Sequence, residues 1–256
     1  MAVKIATIDI IGDCQNRCLF CYNQAKKGKI EFGHFKKLIE GHLSLERVNI
    51  GGGEPTLNSD LPRMVEFSVS RGLRTDISTN GLIYPKETVE LAAKFPELLG
   101  LQVNLPAAEE IAFDNITRTK GNFKTVLGNI GKLAASELKP RLRLTLCKEN
   151  LGQIRPVALL AKDLRLPLYV ELAVPAAGNE GHILSSKEVE DAYLTVLQLK
   201  LANLYIHHRW SASRTNCPAL AEAYGLMLEK SSCTAANGDK LYMDSAGNKK
   251  GCEFLA

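Results

Sequence analysis

The sequence predicts an α/β chain: a partial (β/α)6 TIM-like barrel on a parallel sheet, with a small cysteine-containing C-terminal extension. Short β-branched or apolar runs alternate with helix-length amphipathic segments about six times, which implies right-handed crossovers and a parallel sheet covered by helices. At 256 residues the chain is too short for a full eight-fold barrel plus a tail. After LANLYIHHRW the composition changes, and three of the seven cysteines fall in the last stretch. The expected division is therefore a barrel over 1–210 and an extension over 211–256.

The strands are expected at 3–11, 47–51 (RVNIG), 73–78 (LRTDIS), 99–105 (LGLQVNL), 141–146 (RLRLTL) and 167–172 (PLYVEL). Between them, Leu61, Met64, Val65 and Ser68 recur at helical intervals. So do Val89, Ala92 and Phe95, and then Phe123, Val126, Leu127, Ile130 and Leu133. Alternation within strands assigns their faces. In RLRLTL the leucines share one side, to pack on helices, and Arg141, Arg143 and Thr145 share the other; a solvent-exposed edge strand is the alternative. Gln102 and Asn104 pair off in the same way on strand 4, as do Tyr169 and Glu171 on strand 6. Such a polar lumen suits a charged, hydrogen-bonding ligand whose carboxylate could meet an arginine.

Composition narrows the classes. With 45% hydrophobic residues the chain has ample core, and its longest apolar runs are strand-sized, so no membrane partner is expected. A net charge of +4, with basic residues scattered among 28 acidic ones, calls for no nucleic-acid partner. Nothing resembles a signal peptide, and seven cysteines without one point to a reducing cytoplasm and metal binding.

Three of those cysteines carry the strongest signal. Cys14, Cys18 and Cys21 form C-x3-C-x2-C in DCQNRCLFCYNQ, directly after strand 1. Thiolates this close can hold a soft metal or an iron–sulfur cluster, and three of them leave one iron of a four-iron cluster open. Zinc and free thiols are the alternatives. Cys18-x2-Cys21-x12-His34 begins like a zinc finger, but His42 follows after seven residues rather than three to five, and Cys14 is left over. GGGEP (51–55) follows strand 2 and STNG (78–81) follows strand 3. In parallel α/β folds these loops open on one rim with the cysteine run.

At this point the residues resemble the radical S-adenosylmethionine (SAM) enzymes. The cysteine run with Phe20 before its last member, GGEP at 52–55, TNG at 79–81, FDNITRTKGNF at 113–123 and the strand-5 exit ending in Asn150 match in order over roughly residues 3–175. The resemblance implies that Cys14, Cys18 and Cys21 hold a [4Fe-4S] cluster whose open iron binds SAM. It implies that Phe20, Gly52, Gly53, Glu54 and Thr79 line the cofactor, with Gly52, Gly53 and Glu54 at its ammonium and Thr79 at its ribose or backbone. Asn104 stands where a serine is common, and Arg141, or Arg143 beside it, would suit the SAM carboxylate. The chemistry implied is one-electron reduction by a flavodoxin- or ferredoxin-type donor, cleavage of SAM to a 5′-deoxyadenosyl radical, and hydrogen abstraction from a substrate.

The extension adds a second expectation. Cys233-x13-Gly247-x4-Cys252 resembles the opening of the SPASM and twitch extensions, which carry auxiliary iron–sulfur clusters. KLYMD and a turn at SAGN read as a hairpin, with Cys217 as a third ligand. A full SPASM domain supplies further cysteines, whereas four residues follow Cys252, so this is either one three-cysteine cluster or an abbreviated end; buried thiols or zinc are the alternatives. Cys147 reads as a core residue. The SPASM-like spacing favours a peptide or protein substrate. The start directly on strand 1, without the peptide-recognition domain many maturases carry, favours a small-molecule cofactor-pathway enzyme. A non-catalytic iron–sulfur or zinc protein is the third reading, against which GGEP and the polar lumen speak.

Overall fold

The structure is a computed structural model, and it describes residues 3–23, 27–206, 214–215, 221, 224, 227–228 and 239–250. Six strands form where the sequence places them: β1 (Ile5–Asp9), β2 (Arg47–Gly51), β3 (Arg74–Thr79), β4 (Leu99–Asn104), β5 (Arg141–Leu146) and β6 (Leu168–Leu172). β7 (Leu204–Ile206) extends the series. β8 (Arg214–Thr215) and β9 (Met227–Leu228) pair separately, and β10 (Lys240–Met243) and β11 (Lys249–Lys250) follow. The main sheet runs β11-β10-β1-β2-β3-β4-β5-β6-β7 and does not close on itself. All its pairs are parallel except the β10–β11 hairpin.

Helices α1 (Phe32–Glu40), α2 (Leu61–Ser70), α3 (Lys86–Ala92), α4 (Glu110–Thr117), α5 (Phe123–Ala134), α6 (Ile154–Asp163) and α7 (Ser186–Leu199) complete the alternation. The expected apolar positions face inward: Leu61, Met64, Val65 and Ser68 of α2 are buried, as are Phe123, Val126, Ile130 and Leu133 of α5. Phe95 falls beyond the end of α3, where Thr88 and Ala92 are the buried residues. A capping box of Ser185 and Glu188 starts α7.

Strand alternation sorts the two faces as expected. Leu142, Leu144 and Leu146 are fully buried, while Arg141 and Arg143 stay half-buried on the opposite face. Removing each leucine side chain from water is worth about 1.5–3 kcal/mol, so the strand cannot flip without losing its core. β5 lies between β4 and β6, which rules out the edge-strand alternative.

The sheet is larger than a six-stranded barrel. β10 lies in register beside β1, with Ile5 opposite Lys240 and Thr7 opposite Tyr242, so residues 240–250 share the barrel's sheet. β10 covers backbone groups that the edge of β1 would otherwise present unpaired. The hairpin read at KLYMD and SAGN forms, with Tyr242 opposite Lys250 and Met243 opposite Lys249.

Candidate functional site

The rim site is built on the loop that leaves β1. Its exit is tied down first: Asn58 Nδ2 donates to the carbonyls of Ile10 (3.0 Å) and Ile30 (3.1 Å), and Gly12 N–H donates to Gly28 O at 2.8 Å. The loop after β2 then docks backbone to backbone. Gly53 N–H donates to Ile11 O at 2.7 Å, and Glu54 N–H to Asp13 O at 2.8 Å. A Cβ on Gly52 would lie 2.3 Å from Ile11 O, and one on Gly53 2.1 Å from Asp13 O. The glycines are thus required by close approach to the cysteine loop itself, and Gly52 also has a φ of +134°.

The cysteine segment is held from further elements. The last carbonyls of α4 accept from it: Thr117 O from Arg17 N–H at 2.9 Å, and Ile116 O from Leu19 N–H at 3.0 Å. Asn179 Nδ2 donates to Phe20 O at 3.2 Å. The Phe20 ring is buried in the core, where it fixes the loop between Cys18 and Cys21. Asn80 reaches over from β3, its Nδ2 3.1 Å from Gln15 Oε1 and 3.7 Å from Cys14 Sγ. Backbone N–H groups of Asn16 and Asn23 donate to the sulfurs of Cys14 (3.4 Å) and Cys21 (3.3 Å).

The three thiols sense one another. Burial raises the pKa of Cys18 well above the ordinary thiol value, and the charges of Cys21 and Cys14 add to the rise. Cys14 reaches solvent, yet desolvation by the surrounding loops still raises its pKa, with Glu54 and Cys21 contributing and the donors from Asn16 and Asn80 opposing. Among the described residues no trio of His, Cys, Asp or Glu closes tightly enough to chelate a single ion. Three mutually interacting thiols on one loop are the donor set that a multi-iron cluster with one open iron would use.

Glu54 is fully buried and bridges two loops. Oε1 accepts from Thr79 Oγ1 (2.7 Å), Thr56 Oγ1 (2.7 Å) and Thr56 N–H (3.1 Å), and Oε2 accepts from Asn80 N–H (2.6 Å). Desolvation nevertheless raises its pKa. The Thr79 hydroxyl donates to Glu54 and accepts from Gly81 N–H at 3.1 Å, so it braces the rim. Glu54 likewise spends its acceptors on Thr56, Thr79 and Asn80.

Below the rim the lumen is polar. Arg143 Nε lies 2.8 Å from Glu171 Oε1, and the single Thr145 Oγ1 proton is shared between the same oxygen (3.2 Å) and Asn104 Oδ1 (3.4 Å). Asn104 therefore sits in the lumen as expected, level with Arg143 in the sheet register. Arg141 does not reach the rim. It is the first residue of β5, and its guanidinium pairs with Asp76. With Arg47, Arg74, Glu97 and Gly100 it lines a cavity of about 180 Å³ among the first residues of the strands. Alternation fixed its face correctly, but two residues of strand rise, about 6–7 Å, separate it from Arg143. Cys147 is fully buried; burial first, then Glu149, pushes its thiol up to about 12. Cys217, Cys233 and Cys252 lie outside the described residues.

Asn80 is the site residue that sequence reasoning passed over, although TNG was noted. An asparagine directly after a strand-ending threonine can offer both its side chain and its backbone N–H to neighbouring loops.

The family profile described as the radical SAM superfamily matches residues 8–161, the span that carries the cysteine loop, GGGEP and the polar strands β4 and β5. The chain belongs to the radical SAM superfamily. The chain is 30% identical over 165 residues to an Fe-coproporphyrin III synthase of Methanosarcina barkeri, covering 60% of this chain and 40% of that protein. It is 29% identical over 158 residues to the mycofactocin maturase MftC of Mycobacterium tuberculosis, covering 58% and 39%. The chain thus spans about half the length or less of such curated relatives. Among solved structures, Streptococcus suis SuiB bound to S-adenosylmethionine superposes with a TM-score of 0.75 at 17% identity, over 98% of this chain and 60% of SuiB. That likeness supports the radical SAM partial-barrel fold. No described helix is long and apolar enough to cross a membrane.

Proposed function

We propose that this radical SAM protein binds a [4Fe-4S] cluster through Cys14, Cys18 and Cys21 and uses it to cleave SAM and modify a peptide. The observation that carries the reading is the cysteine loop itself: three thiols, braced by β2, β3, α4 and Asn179, above a polar lumen. Bound there, a cluster would supply the one-electron reduction that cleaves SAM for hydrogen abstraction from the substrate. The protein's own task is to orient and to exclude water. Gly52 and Gly53 set the SAM-facing loop against the cysteine loop, and Glu54, with Thr79 and Asn80, locks that loop to β3. Arg143, in the lumen near Asn104, takes the place first expected of Arg141 as the partner of the SAM carboxylate. An external one-electron donor, of flavodoxin or ferredoxin type, completes the cycle.

MftC and SuiB support the peptide reading, since the first is named a maturase and the second has a structure with its precursor peptide SuiA. The similarity to Fe-coproporphyrin III synthase supports a second reading, a small-molecule substrate of a cofactor pathway. Cys217, Cys233 and Cys252 are retained as ligands of an auxiliary cluster.

The test is anaerobic reconstitution followed by reduction in the presence of SAM, with 5′-deoxyadenosine read by mass spectrometry. Iron-loaded wild type is expected to form it and Cys18→Ala is not; a loaded wild type that leaves SAM intact would overturn the reading. Iron content separates the clusters: about eight irons in the wild type and about four in the Cys14/Cys18/Cys21→Ala variant mean two, whereas about four and none remove the auxiliary one. Stimulation of deoxyadenosine formation by a peptide, against stimulation by a porphyrin, decides the substrate class.

A further inference from the structure

The C-terminal hairpin touches the cysteine loop through buried polar contacts that the sheet alone does not need. The Tyr242 hydroxyl, on β10, donates to Asp9 Oδ2 at the last residue of β1. Asn23 Nδ2 approaches the same oxygen at 3.5 Å. The backbone N–H of Asn23 in turn donates to Cys21 Sγ at 3.3 Å. Tyr242, Asp9 and Asn23 are 1%, 1% and 4% exposed, so water cannot replace a donor that is lost. A second tie runs beside the first. Ser245 Oγ donates to Lys27 O at 2.9 Å, and Gly28, at φ +110°, comes so near that a Cβ there would lie 2.6 Å from Ser245 O. Residues 27–30 are the return arm of the cysteine loop, bonded to its start through Gly12 and Ile30. The hairpin therefore clasps the loop at both ends of the segment that follows Cys21.

We propose that Tyr242 is a positioning residue of the cluster site: through Asp9 and Asn23 it fixes the N–H···S hydrogen bond to Cys21, and so sets the cluster's reduction potential. This rests on the reading of Cys14, Cys18 and Cys21 as cluster ligands. Hydrogen bonds to ligand sulfurs and the charge nearby are among the levers that set such potentials, and the partners behind a ligand orient and tune it. Loss of the Tyr242 hydroxyl acts in one direction by two routes. It leaves the Asp9 carboxylate less neutralised near the cluster, and it releases Asn23 from the geometry in which it donates to Cys21. Both favour the oxidised cluster and make the potential more negative.

The experiment compares wild type, Tyr242→Phe, Asn23→Ala and the double variant in two forms of the full chain. In the apo protein, iodoacetamide alkylation is followed cysteine by cysteine by peptide mass spectrometry. Tyr242→Phe is expected to change the modification rate of Cys21 several-fold relative to Cys14. In the reconstituted protein, the midpoint potential is read by EPR-monitored redox titration. Each single variant is expected to lower it, and the double variant to lower it no further than the larger single shift, because both act through Asp9. An unchanged potential, or an equal change of rate at all three cysteines, reduces the hairpin to a structural brace and overturns the inference. If Tyr242→Phe does not fold, Asn23→Ala breaks the same chain from its other end. If wild type takes up no iron, the cluster reading fails by itself, and the apo alkylation rates still decide whether Tyr242 controls Cys21.

Discussion

Gly53→Ala isolates the contact between the GGGEP loop and the cysteine loop. Gly53 has no positive φ, so the substitution adds one methyl group without backbone strain. That methyl would lie 2.1 Å from Asp13 O, 2.4 Å from Gly12 O and 2.6 Å from Asp13 C, all backbone atoms that no rotamer change can move. The loops must part by about 1 Å to restore van der Waals distance. At that separation the bonds from Gly53 N–H to Ile11 O and from Glu54 N–H to Asp13 O are lost or badly stretched. Two hydrogen bonds at about 1 kcal/mol each, plus overpacking of about 1–3 kcal/mol, give an expected loss of about 3–5 kcal/mol. Because Cys14 follows Asp13 directly, iron uptake should fall with it. Urea unfolding of the apo protein and iron content after reconstitution read the two effects. Gly33→Ala is the control: nothing lies within 4 Å of its added Cβ, and an alanine there should be neutral or stabilise α1 by about 0.5–1 kcal/mol. The reasoning fails if Gly53→Ala keeps wild-type stability and iron content.

The two arginines of β5 should separate cleanly. Arg143→Met is expected to weaken SAM binding by about 1–3 kcal/mol in calorimetric titration, whereas Arg141→Met should leave it unchanged and cost about 1 kcal/mol of folding stability through Asp76; the reverse pattern would return Arg141 to the site. Glu54 gives a pH signature. Its carboxyl pKa is raised above 4.5 by burial, so the folded chain holds that proton more readily than the unfolded one. The resulting stability is present below the unfolded value and lost as pH rises through the folded value. The stability of wild type relative to Glu54→Gln, from urea unfolding at pH 5 and pH 8, should therefore fall with rising pH, and a rise would contradict the burial argument.

Much of the architecture was legible because it depends on short-range pattern. Period-2 alternation placed all six barrel strands to within a few residues and put Asn104, Arg143 and Thr145 on the polar face. The close spacing of Cys14, Cys18 and Cys21 made their convergence readable without any tertiary information. What the sequence left open depended on position along a strand, or on partners far away in sequence. Alternation says which side Arg141 faces but not how far along the lumen it lies, and only the structure shows it beside Asp76. Threonine after a strand is equally suited to a ligand or to a neighbouring carboxylate; the buried Glu54 takes it here. The pairing of β10 with β1 joins residues more than 230 positions apart in sequence, and KLYMD carries no mark of its partner.

The same packing that makes thiolates costly at the cysteine loop suits that loop to a cationic group. The cysteine segment takes most of its hydrogen bonds from elements outside it, so its shape is set by β2, β3, α4 and Asn179 before anything binds. Dense surroundings then desolvate Cys18 and Cys14 and hold their protons on. A cationic iron–sulfur core bound there would reverse that preference, since each ligating thiol would give up its proton for an opposite charge at bonding distance. Preorganisation and raised thiol pKa values are thus two results of one arrangement. The first removes the entropic cost of gathering three cysteines, and the second disfavours thiolates until the core is present. A change that loosens the loop, whether at Gly53, Asn80 or Tyr242, should weaken both together.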